Sequence, residues 1–307
     1  MRKEFINFDL LVTKYLSSLD LKSSSIKSYE KILRDFIKYS KVRFILLPEK
    51  RDILDYKEYI SKTVRSASIQ KRIVVIRGFF RFLDSEEIYK DITKGVKGAR
   101  IEPTFKRRAF SLEELRRLAK LSESKTDSLI GLRNHALILL MMTTGLRTIE
   151  VERANVADIS SIKGNNLLYI QGKGMDDKDN YVKLSDEVYK YLLKYLELRN
   201  DEFEPLFLTH ARNIKNTRLR TRSIRGIVKE YLRQIDIDDK RYTAHSLRHS
   251  VASNLIRHGN LSIEEARQIL RHKDIKTTEI YSHAIQRLEN DGELIMSDLL
   301  LKEGEDI

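Results

Sequence analysis

Five of the seven histidines in this 307-residue chain lie between positions 245 and 283, in a stretch that also holds Arg248 and Tyr281. Clustered imidazoles can ligate a metal or move protons. His245 and His249 stand at i, i+4 and share one helical face, yet no glutamate sits between them as a zinc protease of that spacing requires. Arg248 would project beside them and repel a cation, so no metal is expected. The same residue types suit attack on a phosphodiester without metal. That transition state spreads negative charge over the non-bridging oxygens, which fixed bidentate guanidiniums stabilise. It also needs a deprotonated nucleophile and a protonated leaving oxygen, hence a base and an acid. Arg147 follows Gly145 at the exit of an apolar run, Arg248 falls one turn after His245, and Lys173 stands between Gly172 and Gly174. Tyr281 offers a phenol, whose ordinary pKa of about 10 calls for nearby positive charge or a base. Each of these residues, taken singly, is more simply a packing or surface side chain.

The elements that must position them are mostly helices. Three prolines and long 3.6-residue periodicities predict a mainly α protein with a small β-hairpin or sheet, an α+β class. Residues 24–40 read as one helix with Tyr29, Leu33 and Phe36 on its apolar face and Lys27, Lys31, Arg34 and Lys38 on the other. Residues 67–83 repeat the design, with Ile69, Ile73, Ile76, Phe80 and Leu83 inward and Lys71, Arg72, Arg77 and Arg81 off that stripe. With segments near 5–18 and 50–62 they make a four-helix unit over 1–93. A basic linker, 94–108, follows; it contains Gly95, Gly98, Pro103 and six cations, among them Lys106, Arg107 and Arg108. A second domain, 109–290, opens at a Ser111/Glu114 capping box. Its apolar run at 134–143 predicts a buried central helix that ends at Thr144-Gly145. Residues 167–184 predict a hairpin bent at Gly172-Lys173-Gly174, and Ser185 starts a helix up to about Arg199. A short strand at 206–208 and a further helix opened by Arg218, Arg220, Arg222 and Arg225 complete the reading.

Composition narrows the partner. The chain has no cysteine, which excludes disulfide scaffolds, thiol nucleophiles and cysteine zinc sites, and its net charge is +13. The first hundred residues hold 23 basic and 13 acidic side chains, whereas 291–307 hold six acids and one lysine. Two basic bodies and an acidic tail suit a polyanion, most simply nucleic acid. Lys27, Lys31, Arg34, Lys38, Arg72, Lys106, Arg107, Arg108, Arg220 and Arg222 are the candidate phosphate contacts, each otherwise a solvated surface cation. The first residues lack the apolar run of a signal peptide, so a cytoplasmic protein is expected.

Four motifs resemble the tyrosine recombinases, the phage-integrase and Xer-like site-specific DNA recombinases. They are Thr143-Thr144-Gly145-Leu146-Arg147-Thr148-Ile149-Glu150, Gly172-Lys173-Gly174, His245-Ser246-Leu247-Arg248-His249, and Leu270-Arg271-His272 continuing through Thr277-Thr278-Glu279-Ile280-Tyr281-Ser282-His283. The resemblance implies a core-binding domain at 1–93 and a catalytic domain at 109–290. It implies that Arg147 and Arg248 grip the scissile phosphate with His272, that Lys173 protonates the leaving 5′ oxygen, and that His245 takes or shares the tyrosine proton. Tyr281 would attack to give a 3′-phosphotyrosine. Glu150 would orient Arg147, with His283 in a supporting place; the plainer reading of Glu150 is a surface i,i+3 pair worth about 0.2–0.5 kcal/mol. No cofactor is implied, because one phosphoester is exchanged for another.

Two departures from the family pattern stand out. Arg271 occupies a position where glycine is usual, and an arginine there must bear strain or form a different turn. The hairpin turn Met175-Asp176-Asp177-Lys178-Asp179-Asn180 carries three acids, which should point away from a duplex or move when one binds. The tail helix, with Leu294, Ile295, Met296 and Leu299 to Leu301, either completes its own core or is donated to a neighbour. The resemblance favours donation within a homotetramer that joins two DNA sites, one dimer on each, with or without a partner recombinase or accessory proteins. Dimer resolution, cointegrate resolution, integration of a mobile element and inversion share this chemistry. The alternatives are a topoisomerase of type IB and a non-catalytic DNA-binding protein of the same fold.

Overall fold

The computed structural model describes residues 6–100, 108–172, 177–211 and 214–271. The expectations placed on Lys106, Arg107, Lys173, His272, Tyr281, His283, the first two residues of the acidic turn (Met175 and Asp176) and the 291–307 tail therefore lie outside the described residues. The chain divides into two compact units, residues 1–104 and 105–307.

The first unit is built from α1 (Phe8–Ser17), α2 (Ser23–Val42), α3 (Lys50–Ser61) and α4 (Ser66–Ser85). The apolar stripes meet as the periodicity requires: Leu33, Phe36, Ile69, Ile73, Ile76, Phe80 and Leu83 are all buried. Each such side chain contributes about 1.5–3 kcal/mol of hydrophobic stabilisation. Phe36 and Tyr56 pack edge to face, their centroids 5.1 Å apart. On α2 the four cations Lys27, Lys31, Arg34 and Lys38 are exposed on the opposite side, although Arg34 also bonds Glu30 at 2.8 Å. Arg72 differs from them. Its guanidinium lies between α3 and α2, donating to the Tyr56 hydroxyl at 2.9 Å and pairing with Asp35 at 3.0 Å. Residues 94–98, read from sequence as the start of a linker, are tied to the first unit. Val96 is buried in its core, Arg77 donates to the Val96 carbonyl and Lys57 to that of Lys97.

The second unit runs α5 (Leu112–Glu123), α6 (Leu129–Thr144), α7 (Thr148–Arg153), β1 (Ile159–Ile162), β2 (Asn165–Ile170), β3 (Asn180–Leu184), α8 (Asp186–Arg199), β4 (Leu208–Ala211), β5 (Ile214–Arg218), α9 (Thr221–Arg233), α10 (Ala244–His258) and α11 (Ile263–Leu270). The Ser111/Glu114 box caps α5 in both directions, at 2.7 and 3.1 Å. α6 is the central helix, wrapped by α5, α8 and α10, with Ala136, Leu137, Ile138 and Leu140 fully buried. The predicted hairpin is β2–β3, antiparallel with Leu168 opposite Val182. A third strand, β1, extends it; sequence reading missed it because Ile159-Ser160-Ser161-Ile162 is short and half polar. The legible signal was the turn Lys163-Gly164, whose two positive φ angles, +50° and +76°, make the tight hairpin connection. β4 and β5 form a second, two-stranded sheet, so the strand expected at 206–208 begins at its last residue.

One buried and one half-buried histidine give this unit a pH signature. His135 on α6 is 3% exposed, with Nδ1 2.8 Å from Ser122 Oγ and no partner for Nε2 among the described residues. Burial pushes its pKa below the usual 6.5, opposed by Glu123, and burial does the same to His210, helped by Arg133 and Arg199. Below pH ~6.5 the unfolded chain takes up protons that the folded one refuses, so stability present above that pH falls as acid is added. The thermal midpoint should thus be lower at pH 5.5 than at pH 7.5, and His135→Gln should shrink the difference. An equal gap in parent and variant would show that His135 plays no part.

Candidate active site

The site is assembled where helix ends converge. α6 stops at Gly145, whose φ of +63° reverses the chain, and a Cβ there would lie 2.7 Å from Leu270 Cδ2. Only glycine meets both demands cheaply. Leu146 then turns into the core, 1% exposed, and Arg147 becomes the N-cap of α7 in extended conformation. Glu150, three residues on, folds its carboxylate back over that helix start. Oε2 accepts from the Arg147 backbone N–H at 2.7 Å, and Oε1 accepts from Arg147 Nη1 at 2.7 Å. Glu150 is 1% exposed, so the surface-pair reading does not hold: this is a buried carboxylate at a helix N-terminus, favoured by the dipole and by charge pairing.

Arg248 reaches the same carboxylate from α10. That helix is anchored through Ser250 Oγ, which accepts from the Phe110 N–H at 2.6 Å, and through Asn254, which donates to the Phe110 carbonyl at 3.1 Å. Arg248 is also 1% exposed; its Nη1 donates to the Gly145 carbonyl at 2.6 Å and lies 4.0 Å from Glu150 Oε2, while Nη2 donates to the Leu270 carbonyl. Helix C-terminal carbonyls have no intrahelical donors, and one guanidinium serves the ends of both α6 and α11. Arg147 is the more open of the two arginines, 28% exposed.

Arg271 completes the cluster. It adopts the left-handed conformation, φ +55° and ψ +47°, as the C-cap of α11, so the strained alternative foreseen for this position is the one taken. Its Nη2 lies 3.4 Å from Glu150 Oε2 and Nη1 donates to the Ile269 carbonyl at 2.7 Å. Burial lowers its pKa from the ordinary guanidinium value; Glu150 opposes that and Arg147 adds to it.

His245 is exposed on the first turn of α10 and meets His249 edge to face at 4.7 Å. Among the described residues no group of three or more His, Cys, Asp or Glu could hold a metal ion. Lys173 lies just outside what is described, but the chain on either side of it is held. Arg153, at the end of α7, donates to the Gly172 carbonyl at 3.3 Å, and Lys178 binds both oxygens of Asp158 at 2.7 and 2.5 Å. Sequence reasoning missed both tethers, since neither pair has a fixed spacing. Of the acidic turn, Lys178 is thereby directed onto the second unit's own Asp158. Arg108, Arg220 and Arg222 are exposed, with Arg220 3.3 Å from Glu152.

Glu150→Ala would leave Arg248 buried beside no carboxylate. The expected loss is about 3–5 kcal/mol, read as a lower urea midpoint, because breaking a buried pair strands a charge. A loss below about 1 kcal/mol would show that the carboxylate is not the keystone of the cluster.

Residues 108–287 match the model of the phage integrase family. Relatives by sequence include the tyrosine recombinase XerD of Listeria monocytogenes, 29% identical over 297 residues that cover 92% of this chain and 93% of that protein. The tyrosine recombinase XerC of Thermodesulfovibrio yellowstonii is 26% identical over 299 residues, covering 90% and 92%. In fold the chain is similar to the XerH site-specific recombinase bound to its palindromic difH substrate in a post-cleavage complex, with a TM-score of 0.74 at 21% identity over 94% of this chain and 85% of that one. With the family match spanning more than half of its length, the chain belongs to the phage integrase family, the tyrosine recombinases.

Proposed function

We propose that this recombinase cuts and rejoins DNA through a phosphotyrosine made by Tyr281, at a phosphate site organised around Glu150. The observation that carries the reading is the convergence of Arg147 and Arg248 on that one buried carboxylate. Arg147 offers the open edge of its guanidinium to a non-bridging oxygen; Arg248, beneath it, adds charge in a place where water is excluded. The Tyr281 oxygen attacks phosphorus as His245 takes or shares its proton, and the P–O5′ bond breaks. Lys173 gives its proton to the leaving 5′ oxygen, and His272 donates to the phosphoryl group. The 3′-phosphotyrosine keeps the ester's energy, so a 5′ hydroxyl from a second strand can reverse the step without ATP or a divalent ion.

Exposed Lys27, Lys31 and Lys38 on α2 suit phosphate contacts, as do Arg108, Arg220 and Arg222 in the second unit; Lys106 and Arg107 join them by charge alone. Arg72 is set apart, since its guanidinium already holds Tyr56 and Asp35. The resemblance to Xer proteins supports a dimer on each site and a tetramer in the synapse, with the 291–307 tail passed between subunits. No helix among the described residues is long and apolar enough to cross a membrane, in keeping with action on chromosomal, plasmid or mobile-element DNA in the cytoplasm.

The test is a nicked recombination site from the protein's own replicon, incubated with EDTA. The parent should form a covalent protein–DNA adduct and Tyr281→Phe none; an adduct with the phenylalanine variant would remove Tyr281 as nucleophile. Lys173→Ala should slow cleavage of the ordinary ester, yet cleave a 5′-bridging phosphorothiolate at the parent rate, because a thiolate leaves without a proton. Exchange between two sites, rather than relaxation of one plasmid, separates a recombinase from a topoisomerase of type IB.

A further inference from the structure

Three guanidiniums gather on one carboxylate, and the third has no place in the mechanism so far. Arg271 holds a backbone conformation that L side chains rarely adopt, φ +55°, where glycine would fit without strain. Its side chain nevertheless turns inward, 15% exposed, with Nη2 3.4 Å from Glu150 Oε2 and Nη1 on the Ile269 carbonyl. Nε is buried with no hydrogen-bond partner among the described residues. A strained backbone, a desolvated cation and an unpaired donor at one residue are hard to reconcile with a passive helix cap.

We propose that Arg271 is a positioning residue of the phosphate site, acting through Glu150. Its contact ties the end of α11, and with it the chain step to His272, to the start of α7 that carries Arg147. It also sets the charge of the site. Arg147 and Arg248 against Glu150 leave one formal positive charge in excess; Arg271 raises that to two. A phosphodiester carries one negative charge, but attack by a tyrosinate makes a five-coordinate phosphorus that carries two. The third guanidinium therefore stabilises the transition state more than the bound substrate, which places its effect on the rate of cleavage rather than on DNA affinity.

This inference rests on the phosphotyrosine reading, and the experiment separates the two. Single-turnover cleavage of the nicked site is compared in the parent, Arg271→Gly, Arg271→Gln and Arg271→Lys, alongside DNA binding and thermal midpoint. Arg271→Gly should keep or raise the thermal midpoint and bind DNA within about threefold, yet cleave roughly 10- to 100-fold more slowly, below or near the loss of one preorganised oxyanion donor. Arg271→Lys should recover part of that rate, and added guanidinium ion should partly rescue the glycine variant. A glycine variant that folds and cleaves at the parent rate would overturn the proposal. If the glycine variant is unfolded, Arg271→Gln cleaving at the parent rate overturns it equally, because that change keeps a polar side chain of part of the length and removes the charge. Absence of any adduct with the parent would instead overturn the underlying reading.

Discussion

Glu150 is a carboxylate with 1% of its side chain exposed, and the functional unit is organised by what such a group needs. An ionised carboxyl removed from water must be paired and hydrogen-bonded or it will not stay ionised. Its partners come from three places in the chain: the N-cap of α7, the second turn of α10 and the C-cap of α11. One buried charge thus brings Arg147, Arg248 and Arg271 to a common point across more than a hundred residues of sequence. It also leaves the cluster net positive, a balance that suits the phosphate of the proposed mechanism.

The backbone is part of the same arrangement. Helices end with carbonyls that lack donors, and two of these ends, at Gly145 and Leu270, face the guanidinium of Arg248. Gly145 permits the close approach, because any Cβ would strike Leu270. Arg248 is therefore a local structural clamp, and in the proposed mechanism the same guanidinium also supplies charge to the phosphate. A guanidinium fixed by carbonyls pays little reorganisation when an anion arrives.

Much of the fold follows from local patterns in the chain. The stripes of α2 and α4, the box at Ser111, the apolar run of α6 and the β2–β3 hairpin each rest on spacing within a few residues, and each is where that spacing predicts. β1 and the β4–β5 pair were less legible, since their strands are short and polar and are held by neighbours. Arg72 shows the limit for charges. From sequence it belongs with the other cations of its helix, yet Tyr56 and Asp35 on adjacent helices draw it inward. The tethers from Arg153 to Gly172 and from Lys178 to Asp158 lie across 19 and 20 residues with no periodic signal.

By itself the sequence determined which residue types were available, which helices would form, and where the chain had to turn, because these depend on propensity, periodicity and capping between near neighbours. It also carried the four motifs that resemble the family, with every acid, base and guanidinium in order. Only the tertiary structure decided that Glu150 is a buried hub rather than a surface partner, and that Arg271 accepts a left-handed backbone to reach it. Those outcomes depend on desolvation and on distances between elements far apart in the chain, quantities that exist only once the helix ends have met.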